Sequence, residues 1–113
     1  MTTFPAPKTG SIRVFIHPDM MDLLPAYLKR RDSDVELLRN YIGNQDFKAI
    51  QLLGHKLSGN GSVFGFDPIS KTGKDLESAA INKDMSKVQE HTQELFAYLS
   101  NIEICPKEKN ENA

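Results

Sequence analysis

His55 is the residue best placed to do chemistry, because helical spacing turns it away from the apolar side of its segment. Projected at about 100° per residue, four apolar residues lie within about 40° of the direction opposite His55: Ile50, Leu53, Leu57 and Phe64. The residues on the His55 side are small or polar: Lys48, Gln51, Gly59 and Ser62. An imidazole offered outward in this way can act as a nucleophile or bind a metal ion.

Metal binding by His55 is disfavoured by the spacing of the other potential ligands. A helical pair of ligands would use the position one turn later, and that position is Gly59. A surface histidine with no chemical role is the plainer alternative. His17 is interpreted as a turn residue and His91 as a half-buried packing residue, and nothing in their spacing predicts a metal site.

The segment that carries His55 is predicted to be a helix from about 45 to 64, although it contains three glycines. Each interior glycine costs roughly 0.5–1 kcal/mol relative to alanine. Gly54, Gly59 and Gly61 therefore imply a feature that offsets this cost. We favour close approach of another protein surface to the backbone. Tight packing between helices is the alternative for Gly54 and Gly61.

Apolar residues at helical spacing predict three further helical units. The first is either one kinked helix or two, from about 20 to 30 and from about 33 to 42, because Ser33–Glu36 has the form of a capping box. Asp67 is predicted to cap a helix that ends at about 81, and the last helix runs from about 85 to 101. Because the turns are short, the sequence predicts an all-α, antiparallel up-down four-helix bundle with an additional short N-terminal helical segment.

Residues 19–104 are predicted to form this bundle, between a flexible or extended lead-in at 1–18 and a polar tail at 105–113. Residues 12–16 show a β-like alternation but have no evident partner strand. We therefore expect an extended segment laid against the helices and not a sheet. Cys105 is assigned to the tail and given no role.

Length and composition favour one soluble globular domain. The chain has 113 residues, of which 39% are hydrophobic and 26% charged, which argues against a disordered protein. The net charge of −1 argues against nucleic acid or an acidic membrane as a partner. Residues 1–10 lack an apolar leader, and no apolar run approaches the roughly 20 residues that span a bilayer. We expect a cytoplasmic protein.

The sequence around His55 and on the following helix resembles the histidine phosphotransfer (HPt) domain family. That family has a histidine, a glycine four residues later, a second glycine ten residues later and a Leu-Glu-x-Ala segment on the next helix. The matching residues here are His55, Gly59, Gly65 and Leu76-Glu77-Ser78-Ala79, and the resemblance covers about 44–102. It implies a carrier in which His55 accepts a phosphoryl group from an aspartate of one receiver domain and passes it to another.

The resemblance also implies roles for the residues beside His55. Lys56 and Lys48 would attract the phosphoryl group, and Ser58, at a position where the family commonly has lysine, would donate a hydrogen bond to it. Gly59 would leave room for the partner. The docking surface implied in this way has five members: Gly59, Gln51, Leu52, Ser62 and Val63. An imidazole with an ordinary pKa of about 6.5 is mostly neutral at cellular pH, so no local base is needed for it to attack.

A carrier of this kind is not an enzyme in its own right. We expect no nucleotide site, metal or other cofactor on this chain, with the Mg²⁺ for transfer held by the receiver. The expected partner is the receiver domain of a response regulator or of a hybrid histidine kinase, and the expected state is a monomer. Two alternatives stay open: an HPt-like module that docks a receiver without carrying phosphate, and the phospho-accepting domain of a larger histidine kinase.

Overall fold

The computed structural model describes residues 12–107, so the predictions for residues 1–11 and 108–113 lie outside it. In chain order it contains strand β1 (Ile12–Ile16), a 3₁₀ helix (Pro18–Leu23), α1 (Leu24–Gly43), α2 (Phe47–Asn60), a second 3₁₀ helix (Ser62–Phe64), α3 (Asp67–Ile81), α4 (Met85–Asn101) and strand β2 (Ile102–Pro106).

The four α-helices pack around one apolar core. α2 contacts α1 and α3, and α4 likewise contacts both α1 and α3. Each helix contributes a fully buried leucine: Leu38, Leu57, Leu76 and Leu95. These leucines belong to the apolar stripes that the spacing predicted, and the predicted set of four main helices is confirmed.

Helix α1 runs without a break from Leu24 to Gly43, so of the two alternatives the single helix is correct and the division at residue 33 is not. Asp34, inside the predicted capping box, does not begin a new helix. Its carboxylate is buried and accepts a hydrogen bond from Nε of Arg31 at 2.8 Å. Glu36, the acidic residue of the predicted capping box, lies instead in the middle of α1, with Oε2 3.8 Å from Nη1 of Arg39.

Helix α2 ends at Asn60, four residues before the predicted end. After Gly61 the chain tightens into the 3₁₀ helix Ser62–Phe64 and then turns at Gly65, whose φ of 93° is left-handed and favours glycine. The start of α3 also differs from the prediction. Asp67 is its first residue, the preceding position is Phe66, and no side chain caps this end.

Gly54 and Gly61 pack α2 directly against the backbone of α3. A Cβ at Gly54 would lie 2.7 Å from the backbone nitrogen of Glu77 and 2.8 Å from the carbonyl oxygen of Gly73. A Cβ at Gly61 would lie 2.5 Å from the backbone nitrogen of Ser70. Tight helix packing, the alternative for these two glycines, is therefore correct. At Gly59 a Cβ would meet nothing within 4 Å, so this glycine opens on space.

The expectation that residues 12–16 form no sheet is wrong. β1 pairs in parallel with β2, with Val14 opposite Ile104. The predicted start of the polar tail at residue 105 is wrong for the same reason, since Cys105 lies within β2 opposite Phe15. The predicted all-α fold must also be corrected, because the helices are accompanied by this two-stranded sheet. The inner face of β1 is buried through Val14 and Ile16. The sequence does not predict β2, because only Ile102 and Ile104 show the apolar alternation of a strand and they directly follow a helix.

Candidate functional site

His55 projects from the middle of α2 into solvent. Its side chain is 73% exposed, whereas Ile50 and Leu57 on the opposite side of the helix are completely buried. This is the orientation that the helical projection predicted. The start of α2 is stabilised by a side-chain cap, because the Asp46 carboxylate accepts a hydrogen bond from the backbone nitrogen of Ala49 at 3.1 Å.

Glu77 of α3 is the residue that the structure brings to His55. Its Oε2 lies 3.2 Å from Nδ1 of His55, and its side chain is 28% exposed. Gly54, directly before His55, permits this contact, because a side chain there would collide with the backbone of Glu77. The sequence predicted no role for Glu77, and the only feature that pointed to it was its place in the Leu-Glu-x-Ala segment.

The contact with Glu77 distinguishes the two ring nitrogens of His55, one as a hydrogen-bond donor and the other as a free lone pair. A carboxylate accepts hydrogen bonds, so Nδ1 carries the proton in a neutral ring that donates to Glu77. The lone pair then lies on Nε2, the nitrogen farther from α3. For a metal ion, His55 and Glu77 together offer two donors, fewer than the three or four protein ligands of zinc sites.

Within the described part of the chain, no hydrogen bond joins the imidazole to the residues expected to support a phosphoryl group. The Ser58 hydroxyl donates to the carbonyl oxygen of His55 at 2.8 Å, so in this rotamer it points along its own helix. The exposed side chain of Lys56 lines a cavity of about 330 Å³ with Arg30 and Asp34 on the α1 side. Lys48 is exposed about two turns before His55.

Four of the five residues expected to dock a partner are exposed. Leu52 and Val63 are 53% and 68% exposed, Gly59 and Ser62 are also exposed, and Gln51 is half-buried. Two exposed leucines of the α1 side, Leu23 and Leu37, line cavities shared with the α2 residues Asn60 and Lys56. Sequence reasoning missed both, because a surface shared by two helices is set by their packing. We call the surface of Leu23, Leu37, Leu52, Lys56, Gly59 and Val63 the α1–α2 face.

In a comparison with protein families, the model of the Hpt domain aligns with residues 22–103. The chain belongs to the Hpt domain family. The aligned range covers the four α-helices and contains both His55 and Glu77. No curated protein and no solved structure matches the chain. The Hpt domain is a phosphocarrier module of histidine phosphotransfer in phosphorelays, and Hpt domains interact with receiver domains.

In this Hpt domain a polar network fixes the end of α2 to α1. The Asn60 side-chain oxygen accepts hydrogen bonds from the Tyr27 hydroxyl at 2.9 Å and from Nη1 of Arg31 at 3.3 Å. Burial raises the pKa of Asp34, and the ion pair with Arg31 opposes that rise. The Tyr27 ring stacks on Phe64 with ring centroids 4.3 Å apart. The network therefore sets where the His55 helix lies relative to α1.

None of the helices in residues 12–107 combines the length and the apolar composition needed to cross a bilayer.

Proposed function

We propose that this Hpt domain carries a phosphoryl group on Nε2 of His55 between the aspartates of receiver domains. One observation carries the proposal: an exposed imidazole whose Nδ1 lies against the Glu77 carboxylate. Membership in the Hpt family supports it independently.

The transfer step balances with the groups present. The Nε2 lone pair attacks the phosphorus of an aspartyl phosphate on the receiver, a P–N bond forms, and the P–O bond to the aspartate breaks. The aspartate leaves as a carboxylate, so it needs no proton. The ring becomes a cation as Nε2 gains the phosphoryl group, and the nearby negative charge of Glu77 stabilises that cation. Return transfer to a second receiver reverses these steps.

Glu77 acts in this scheme as a positioning residue. Its carboxylate holds the ring with Nδ1 inward, which directs Nε2 towards the incoming partner. Lys56 and Lys48 contribute long-range attraction for the phosphoryl group, and neither is proposed to contact it before the partner binds. Ser58 reaches the phosphoryl group only if its hydroxyl leaves the His55 carbonyl oxygen.

The α1–α2 face is the proposed docking surface for the receiver. It combines exposed leucine side chains with the exposed side chain of Val63, and exposed aliphatic side chains suit the core of a protein interface. Gly59 lies one turn after His55 and opens on space, so the partner backbone can approach there. Gln51 and Ser62 flank this approach.

We propose an antiparallel up-down course for the helices. It is supported by contacts between α2 and α3 that place Gly54 beside Glu77 and Gly61 beside Ser70. Residue numbers therefore rise along α2 as they fall along α3. We further propose a cytoplasmic monomer that has no cofactor for transfer, with Mg²⁺ on the receiver.

Incubation with a panel of phosphorylated receiver domains, followed by mass spectrometry, tests the proposal. We expect one added phosphoryl group on His55, absent in His55→Gln and retained in His17→Gln, which removes another exposed histidine. Receiver binding without any label would favour a docking module. Labelling by a kinase catalytic domain with ATP, and by no receiver, would favour a kinase-side phospho-acceptor.

A further inference from the structure

A second group of potential ligands lies between α3 and α4, apart from the His55–Glu77 pair. It consists of Asp75 on α3 and of His91 and Glu94 on α4, and one ligand atom from each lies within 4.8 Å of the others. Nδ1 of His91 is 2.9 Å from Oε1 of Glu94 and 4.0 Å from Oδ2 of Asp75. The sequence predicted no metal site because Asp75 joins the other two only through helix packing.

We propose that Asp75, His91 and Glu94 bind a Zn²⁺ ion, with water completing the coordination. Zinc takes imidazole nitrogen and carboxylate oxygen at about 2.0–2.2 Å, so ligand atoms on a tetrahedral ion lie about 3.3 Å apart. The two distances from Nδ1 of His91, 2.9 and 4.0 Å, bracket that value. A nitrogen donor favours zinc over calcium or magnesium, which prefer oxygen ligands.

The arrangement combines a restricted imidazole with carboxylates that can adjust. The His91 side chain is only 16% exposed, and it lies on a helix anchored by buried Val88 and Leu95. The Glu94 side chain is half exposed, so small rotations can close the remaining gap to a shared ion. His91 and Asp75 also line a cavity of about 250 Å³ that has room for metal-bound water.

Two existing interactions must change when the ion binds, and both changes are small. The His91 ring proton moves from Nδ1 to Nε2, which leaves the ring neutral and makes Nδ1 a ligand. Lys71 donates to Oδ2 of Asp75 at 2.9 Å, and this hydrogen bond raises the pKa of Lys71. Its side chain is well exposed and can withdraw, or Asp75 can use its other oxygen.

Titration of the metal-free full chain with ZnCl₂ in a calorimeter tests this site. We expect one ion per chain, with a Kd at least tenfold weaker in His91→Gln and in Asp75→Asn. His17→Gln and His55→Gln, which remove the other two histidines, should leave the Kd within twofold. Lys71→Ala should bind zinc more tightly, because a competing cation is removed. Circular dichroism of each variant identifies any that fail to fold.

A second readout reports the ligands directly. NMR of the His91 ring should show metal bound to Nδ1 and the proton on Nε2. Absence of binding by the folded chain, or equal binding by folded His91→Gln, would overturn the proposal. Binding abolished by His55→Gln alone would also overturn it, since the ion would then lie at the other histidine. None of these results depends on phosphotransfer.

Discussion

Nδ1 of His55 lies 3.2 Å from Oε2 of Glu77, which joins the imidazole of α2 to a carboxylate of α3. The contact depends on Gly54 and Gly73, since a Cβ at either position would collide with the backbone of the opposing helix. Gly54, next to His55, is therefore needed for the orientation of the imidazole. Gly59, one turn later, leaves space for a partner.

Replacing Glu77 by alanine should slow phosphorylation of His55 by a phosphorylated receiver about 10- to 150-fold. The estimate converts the roughly 1.5–3 kcal/mol of a hydrogen bond to a charged group into a rate. Rapid-quench kinetics would measure it. Glu77→Gln, which can still accept from Nδ1 but lacks the charge, should fall between Ala and the wild type. An alanine variant that is labelled at the wild-type rate would remove Glu77 from the scheme.

Alanine at Gly54 should lower the free energy of unfolding, whereas alanine at Gly59 should not. Gly54→Ala places its Cβ against backbone atoms at 2.7 and 2.8 Å, so we expect a loss of about 1–3 kcal/mol. Gly59→Ala meets no atom within 4 Å and should be neutral or stabilising by up to about 1 kcal/mol. Urea denaturation of the two variants measures both. Equal destabilisation would contradict the packing described for Gly54.

A larger side chain at Gly59 should block the receiver without unfolding the bundle. Gly59→Leu fills the space one turn after His55, and we expect receiver affinity to fall at least tenfold by surface plasmon resonance. Gly43→Leu is the matched control, because a Cβ at Gly43 also meets nothing within 4 Å but lies at the end of α1. Unchanged binding by Gly59→Leu would show that the partner docks elsewhere.

Alkaline pH should destabilise the protein partly through Tyr98. Burial, with smaller contributions from Tyr27 and Asp67, raises the pKa of Tyr98 from 10.0 to about 12. Because the folded-state pKa exceeds the unfolded one, the resulting stabilisation is fully present below pH 10 and is lost as the pH rises through about 12.

Tyr98→Phe should therefore lose less stability than the wild type between pH 9 and pH 12, measured as urea midpoints. Some dependence should remain, because burial also raises the pKa of Tyr27. Identical pH profiles for the two proteins would contradict the assignment.

Periodicity predicted the helices best where one apolar stripe runs unbroken between clear ends. The end of α3 at Ile81 and the limits of α4 agree with the predicted 81 and 85–101. The end of α2 was placed too late, because Phe64 continues the stripe in projection although the chain leaves the helix at Gly61.

Features made by residues far apart in the chain could not be predicted in this way. The parallel pairing of β1 with β2 joins segments 90 residues apart, as Ile12 and Ile102 illustrate. The contact of Glu77 with His55 and the place of Leu23 and Leu37 beside α2 likewise arise only when helices pack. The direction of His55 was predictable because it depends on one helix alone.

The most direct test of the account is to locate the phosphoryl group on the imidazole. ¹⁵N-resolved NMR of the protein phosphorylated by a receiver should show phosphorus on Nε2 of His55 and a proton on Nδ1, with no signal in His55→Gln. Phosphorus on Nδ1, on another residue, or on none after exposure to receivers that bind the domain would contradict it.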